Sequence, residues 1–424
     1  MRFRVSSLDS GNLVLGGLIV GSMLVRIGVL ALGGFRLQDP DNYLPLARSI
    51  AEGEGLAIHG RPTAYRPPLY PLVLAPLTVL GGEGAVLGGV AALHVALGAG
   101  TVWLVSVAAK GWGLGDRRAL AAALVVAFDP LLLGQSRAVM TEPLAAFLLA
   151  AALALFAQPG LKGLLGGGLF CGLAGLCRPS SLAGSVLAVV GYAAFGPGPT
   201  GRRFAHSLAL TLTIAAVLTP WAIRNCLVFG EPIWTTTHGG YTLALGNNET
   251  YYREVLDGRP GTVWSGAAQF AWFDEVNRAT AGLTEPEADR FLAASVRELA
   301  LAEPRRFIRA CVERVRHFWS LAPAPAVYPP AIRLATACWN LPLLCAFVLG
   351  LVSGKVWRWP RVAAVAAIFG LSLVHTFYWT DLRMRSPVVP ALALVAASAG
   401  MPRFLPRPPV STGGSISGTL QPRS

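Results

Sequence analysis

Charge is scarce in this sequence. Only 13% of its 424 residues are Asp, Glu, Lys or Arg, against about 25% in typical soluble domains. With 54% hydrophobic residues and a mean hydropathy of +0.54, that shortfall excludes an ordinary soluble domain. Lysine is nearly missing. Of 35 basic residues only Lys110, Lys162 and Lys355 are lysines, and the rest are arginines. Cysteine chemistry is missing too, because the six cysteines form no CxxC pair and no Cys/His cluster at metal spacing. Cys171, Cys177, Cys338 and Cys345 lie in apolar runs as packing residues, while Cys226 and Cys311 fall in a polar segment where pairing stays open. The glycine run from Gly163 to Gly168 lacks the Lys-Ser/Thr of a phosphate loop, and no internal repeat is visible. The net charge of +13 is nowhere interleaved with aromatics on a soluble stretch, so no nucleic-acid partner is expected. Basic loops beside membrane spans account for it.

What the sequence has is long apolar runs. A span takes about 20 apolar residues. Candidates are 12–34, 84–109, 119–135, 141–157, 163–177, 181–196, 204–223, 331–353, 362–379 and 386–402. The expectation is an all-α, polytopic integral membrane protein of about ten transmembrane helices. The first run is longer than a signal-peptide core and reads as a retained span. The run 69–81 is too short to span and reads as an interfacial helix. Residues 1–402 form one transmembrane domain, and the Pro/Gly/Ser-rich tail 403–424 is expected to be disordered.

The loops set an orientation. With the N-terminus in the cytoplasm, the inner loops hold Arg2 and Arg4, Lys110 with Arg117 and Arg118, Lys162, Arg202 and Arg203, Lys355 with Arg358 and Arg361, and then Arg403 and Arg407. Every short inner loop is then basic, as the positive-inside rule asks. The outer side receives a first loop, 35–83, and a long segment, 224–330. Within the latter, Thr284-Glu285-Pro286-Glu287 reads as a capping box. The basic, aromatic stretch from Pro304 to Ser320 reads as a helix lying on the bilayer.

Charges beside spans cost energy and mark functional or paired sites. Here Asp39 and Asp41, Arg66, Arg137 and Glu142, Arg178, Arg224 with Asn225, and Asp381, Arg383 and Arg385 all fall at outer span ends. The topology gathers them on one face. Arginine binds phosphate with a planar fork, and a carboxylate can take a proton from a hydroxyl. Such a set fits group transfer from a phosphate-linked donor to a hydroxyl, and a donor held on a lipid would require an embedded enzyme.

These stretches also resemble a known family. "DPDNYLPLARSIAEGEGL…RPTAYRPPLYPLVLAPL" is similar to the first outer loop of GT-C class membrane glycosyltransferases, in the bacterial branch related to protein O-mannosyltransferases and lipid A aminoarabinose transferases. The shared elements are Asp39, Tyr43, Ala47, Gly53, Gly55, Arg66, Pro67 and Pro68. "TEPLAAFLLAAALALF", "GLAGLCRPSSL", "PWAIRNCLVFGEPIWTTTHGGYTLALGNN" and "DLRMRSPVVPAL" follow in the family's order. The resemblance covers roughly residues 10 to 400. It implies transfer of a sugar from a polyprenyl-phosphate donor to a lipid, glycan or protein hydroxyl, with inversion, at the outer face of the cell (inner or plasma) membrane. It makes Asp39 the catalytic carboxylate, with Asp41 in contention, and Glu142 the second acid. Arg66, Arg178, Arg224, Arg383 and Arg385 become candidates for the donor phosphate, and Tyr43, Tyr65, Asn225, Asn247 and Asn248 candidates for the substrate cavity.

Each residue has a plainer role. Asp39-Pro40 is also a helix start, and Glu142 suits a helix N-terminus. The arginines suit interfacial anchors. Gly246, Asn247 and Asn248 form a turn or contact sugar. Pro45 interrupts the family's helix, so the helix is expected to begin near residue 44 with Asp39 in the preceding turn. No cofactor is implied with certainty. A divalent metal drawing on His59, His238 or His375 with Glu142 or Asp41 stays open, although no histidine pair has ligand spacing. The rival reading is a transporter or flippase for a lipid-linked or anionic solute, which would favour repeats and midplane charges.

Overall fold

A computed structural model describes residues 10–259 and 262–399. The expected tail 403–424 and the basic N-terminus fall outside these. The chain is a bundle of helices running up and down. α1 is Ser10–Leu32, followed by α2 (Tyr43–Ala51), a small hairpin of β1 (Ala57–Ile58) and β2 (Arg61–Pro62), and α3 (Leu69–Thr78). Next come α4 (Glu83–Gly111), α5 (Asp116–Phe128), α6 (Pro130–Gln135), α7 (Glu142–Phe156), α8 (Gly160–Cys177), α9 (Ser181–Phe195) and α10 (Thr200–Phe229). The long segment folds as α11 (Gly239–Leu245), α12 (Glu249–Tyr251), α13 (Ala267–Ala279), α14 (Glu285–Ala302) and α15 (Pro304–Phe318). The bundle closes with α16 (Pro330–Val352), α17 (Val362–Phe377), a 3₁₀ turn (Leu382–Val388) and α18 (Val389–Ala397).

All ten expected spans are helical, but they are unequal. Among the described residues six helices are long and apolar enough to cross a membrane: Ser10–Leu32, Glu83–Gly111, Asp116–Gln135, Gly160–Cys177, Thr200–Phe229 and Pro330–Val352. α7, α9 and α17 are apolar but shorter, and the last span is a 3₁₀ turn leading into a nine-residue helix. The third crossing is broken, because buried Asp129 caps α6 through the Leu131 and Leu132 N–H groups and Pro130 begins the new helix. The capping box is present, with the Glu287 carboxylate accepting from the Thr284 N–H at 2.8 Å. The run 69–81 contains α3, and all six cysteines are free thiols.

The alternation sorts the loops into two ends. α1, α6, α8, α10 and α17 finish where α4, α7, α9 and α16 begin, and this end carries the first outer loop and α11–α15. The main apolar core joins α4, α5, α7, α17 and α18, with Leu392, Leu394 and Val395 fully buried. A second cluster, with Tyr43, Tyr70 and Leu74, seats α2 and α3 on α4 and α7. The loop that carries both aspartates is therefore packed against the bundle.

Candidate active site

Backbone contacts bring distant segments together. Gln38 forms an isolated parallel bridge with Ala138, the Val139 N–H donating to the Gln38 carbonyl at 2.8 Å. This sets Asp39 beside the turn leading to Glu142. The Thr237 N–H donates to the Ala64 carbonyl at 3.1 Å, which brings Arg66 to His238. Glu285 locks the same joint. Its carboxylate accepts from the Thr63 hydroxyl and the Ala64 N–H, each at 2.8 Å, and from the Thr237 hydroxyl.

The two aspartates have different surroundings. Asn42, in the left-handed region at φ 56°, turns the chain into α2 at Tyr43. The Tyr43 and Leu44 N–H groups then donate to Asp39 Oδ1 and Oδ2 at 2.9 and 2.8 Å. Pro45 is the third residue of the helix, where a missing N–H costs nothing. Helix start and preceding turn both lie where the sequence put them. Burial raises the Asp39 pKa, against the lowering effect of these two N–H groups. Asp41 instead faces Arg66, its Oδ1 2.9 Å from Nη2. Arg66 Nη1 lies 3.3 Å from His238 Nε2, and the guanidinium stands over the Tyr65 and Tyr43 rings at 5.4 and 5.8 Å. The rings of His238 and Tyr65 are 4.2 Å apart, Tyr241 stacks on His238 at 5.1 Å, and the two tyrosine rings are 6.1 Å apart. Burial, then the charge of Arg66, pushes the His238 pKa well below its ordinary value, so the ring is neutral.

Glu142 begins α7 and is fully buried. Arg178 Nη1 is 3.0 Å from its Oε1, yet hydrogen-bonds to the Thr141 hydroxyl, so neither Glu142 oxygen has a hydrogen-bonded donor. Arg178 Nη2 meets Met384 Sδ at 2.8 Å, and Arg178 Nε has no partner. Arg383 Nε lies 3.3 Å from Asp381 Oδ2 in an ion pair without hydrogen-bond geometry, and the guanidinium stands over the Trp379 ring at 5.7 Å. Burial works against its charge, but Asp381, then Glu142 and Asp41, outweigh it and raise the Arg383 pKa. Those charges reach Arg383 from three separate loops, as the topology required. Burial raises Asp381, partly offset by Arg383.

Other candidates have structural partners. Arg224 donates to the Thr63 and Leu56 carbonyls, both at 2.9 Å, and to Asn225 Oδ1. Arg385, almost fully buried, donates to the Phe318 and Ser320 carbonyls. Asn225 holds the Ile233 carbonyl, Asn247 holds those of Leu243 and Phe377, and Asn248 caps α12. Tyr43 is buried edge-on against Tyr70 at 5.1 Å. Sequence reasoning passed over Arg314, which is 1% exposed and donates to the Gly246 and Thr376 carbonyls. It also read Glu285 only as part of a helix start. Neither shows a signal in the sequence, because their partners, backbone and side chain alike, lie far along the chain. Among the described residues no group of three or more His, Cys, Asp or Glu is arranged to hold a metal ion.

Residues 81–196, a little over a quarter of the chain, match the family model of dolichyl-phosphate-mannose-protein mannosyltransferases. The apo oligosaccharyltransferase of Archaeoglobus fulgidus superposes with a TM-score of 0.50 over 90% of this chain and 50% of its own, at 15% identity. The chain has the fold of this archaeal membrane enzyme, and one segment of it matches the mannosyltransferase family in sequence. The same archaeal enzyme tethered to an acceptor peptide gives a TM-score of 0.49 at 14% identity, over 91% of this chain and 49% of its own. ArnT from Cupriavidus metallidurans bound to undecaprenyl phosphate gives 0.41 at 14% identity, over 88% of this chain and 77% of its own. This chain spans about half the length of the archaeal structures. No curated protein matches the sequence.

Proposed function

We propose that this protein is a GT-C glycosyltransferase. It moves a sugar from a polyprenyl-phosphate donor to a hydroxyl, with inversion, at the outer face of a cell membrane. One observation carries the reading: two aspartates, a buried glutamate with no hydrogen-bonded donor, and several arginines meet at one end of the bundle from widely separated segments. The family match over 81–196 supports a lipid-phosphate donor.

Asp39 is the carboxylate that takes the acceptor proton. Its two backbone donors occupy one lone pair on each oxygen and leave the others, and burial moves its pKa toward that of a useful base. Arg178 and Arg383 meet the donor phosphate with their guanidinium groups, with Arg66 beside them. As the glycosidic bond breaks, charge builds on the departing lipid phosphate, and these guanidinium groups stabilise it. Arg224 and Arg385 hold the frame.

The test is to incubate the purified chain with radiolabelled polyprenyl-phosphate sugars and a membrane extract. Transfer that is lost in Arg383→Ala supports the reading. Failure to transfer from any such donor sinks it, and donor uptake by proteoliposomes without transfer would favour the transporter.

A further inference from the structure

At the end of the bundle opposite this site lies a second polar feature. α17 begins there at Val362 and reaches the site end at Phe377, so the helix separates the two by about 24 Å at 1.5 Å per residue. The loop after α16 and the turn after α4 enclose a cleft of about 530 Å³, open to the surface. Lys355, Arg358 and Arg361 line it with Trp112 and Trp359, and among the described residues no carboxylate does.

The cleft is built rather than incidental. Trp359 is wedged edge-on between Phe156 and Tyr192, at 4.8 and 4.7 Å, and its N–H reaches the Phe195 carbonyl. Arg361 is tied to the Trp112 carbonyl. Trp112 is 4% exposed and its indole N–H has no acceptor. The charge is also uncompensated. Asp116, just beyond the turn, is engaged by Lys110 at 3.3 Å, and burial together with the charge of Arg118 lowers the Arg361 pKa. Basic residues that only set membrane orientation need no shaped cavity.

We propose that this cleft binds a phosphate-bearing anion, with Lys355, Arg358 and Arg361 on the phosphate oxygens. An anionic phospholipid headgroup and a soluble phosphate share this chemistry, and basic pockets between spans are known to hold such headgroups.

The test uses the full chain in phosphatidylcholine nanodiscs. One arm adds phosphatidylglycerol in steps and counts retained lipid by native mass spectrometry. The other titrates inorganic phosphate into pure phosphatidylcholine discs and follows the melting temperature. Variants are Lys355→Ala with Arg358→Ala, and Arg202→Ala as a basic control at the same end. The double variant should bind at least about tenfold more weakly. Its melting in pure phosphatidylcholine should be unchanged, which separates a lost ligand contact from a lost fold. A response to phosphatidylglycerol alone assigns the lipid source, and one to inorganic phosphate with the same variant dependence assigns the soluble source. Equal binding by wild type and double variant, or equal weakening in Arg202→Ala, overturns the proposal.

Discussion

The Arg66 guanidinium lies 2.9 Å from the Asp41 carboxylate, whereas Asp39, two residues earlier, turns both oxygens to the backbone of α2. The pair divides two roles that the sequence left shared. Asp41 holds an arginine, and Asp39 caps a helix, which leaves it the lone pairs that the proposed base needs.

That division predicts different losses. Asp39→Asn keeps one carbonyl oxygen for the cap but loses the second acceptor and the base, so kcat should fall by about 10²-fold or more, with a stability loss of about 1–3 kcal/mol for the stranded N–H. Asp41→Asn leaves Asp39 intact and frees Arg66, so KM for the donor should change more than kcat. Steady-state kinetics and thermal unfolding of both variants check this. Full activity in Asp39→Asn with loss in Asp41→Asn would exchange the assignments.

Arg224 and Arg383 should separate in the same way. Arg224→Ala strands the Thr63 and Leu56 carbonyls beside the first loop, at a cost of about 1–3 kcal/mol. Its main effect should be a lower melting temperature. Arg383→Ala removes a guanidinium held by one ion pair and an aromatic face, so it should melt near wild type and lose donor affinity. A cross-linkable lipid phosphate, measured against unfolding for both variants, distinguishes the two.

The pH profile should report Asp39. Burial raises its folded pKa above the unfolded value. The stability it contributes is therefore complete below the unfolded pKa and is lost as pH rises through the folded one. Activity requires the charged form and moves the opposite way, increasing with pH over that window. The acid limb of kcat/KM should thus begin above the ordinary range for an aspartate, about 3.9. His238, held neutral, adds no limb of its own. A His238→Asn variant with the same limb position supports the carboxylate assignment, and one whose limb disappears refutes it.

Much of this architecture is legible as apolar runs, because burying a helix in lipid demands about 20 such residues wherever it occurs. The convergence of Asp39, Glu142, Arg178 and Arg383 was legible for a related reason: alternating spans leave only two ends. What was not legible is which arginine is already engaged. Arg224 and Arg383 look alike in sequence, and only the fold shows that backbone carbonyls face one and not the other. The break at Asp129 was hidden because a single acid in an apolar run resembles any isolated polar residue until its cap is seen. Glu285 was hidden because it serves a helix start and the first loop together.

The most sensitive packing lies between α9 and α17. A Cβ on Gly370 would stand 2.3 Å from the Gly184 backbone nitrogen, and one on Gly184 would stand 2.8 Å from the Ala367 Cα. Two backbones approach there with nothing between them, as small residues permit in membrane helices. Gly370→Ala must push α17 away from α9, at a cost of about 1–3 kcal/mol by the usual penalty for overpacking. The consequence should extend beyond stability, because α17 leads into Asp381 and Arg383 at one end and begins at the Arg361 cleft at the other. The variant should therefore melt lower and also lose donor affinity. A conservative change at Leu373, exposed on the same helix, should do neither. If Gly370→Ala melts lower but binds donor like wild type, the site end of α17 is held independently of its packing on α9. In that case the Gln38–Ala138 bridge and the Arg178 contacts alone maintain the site.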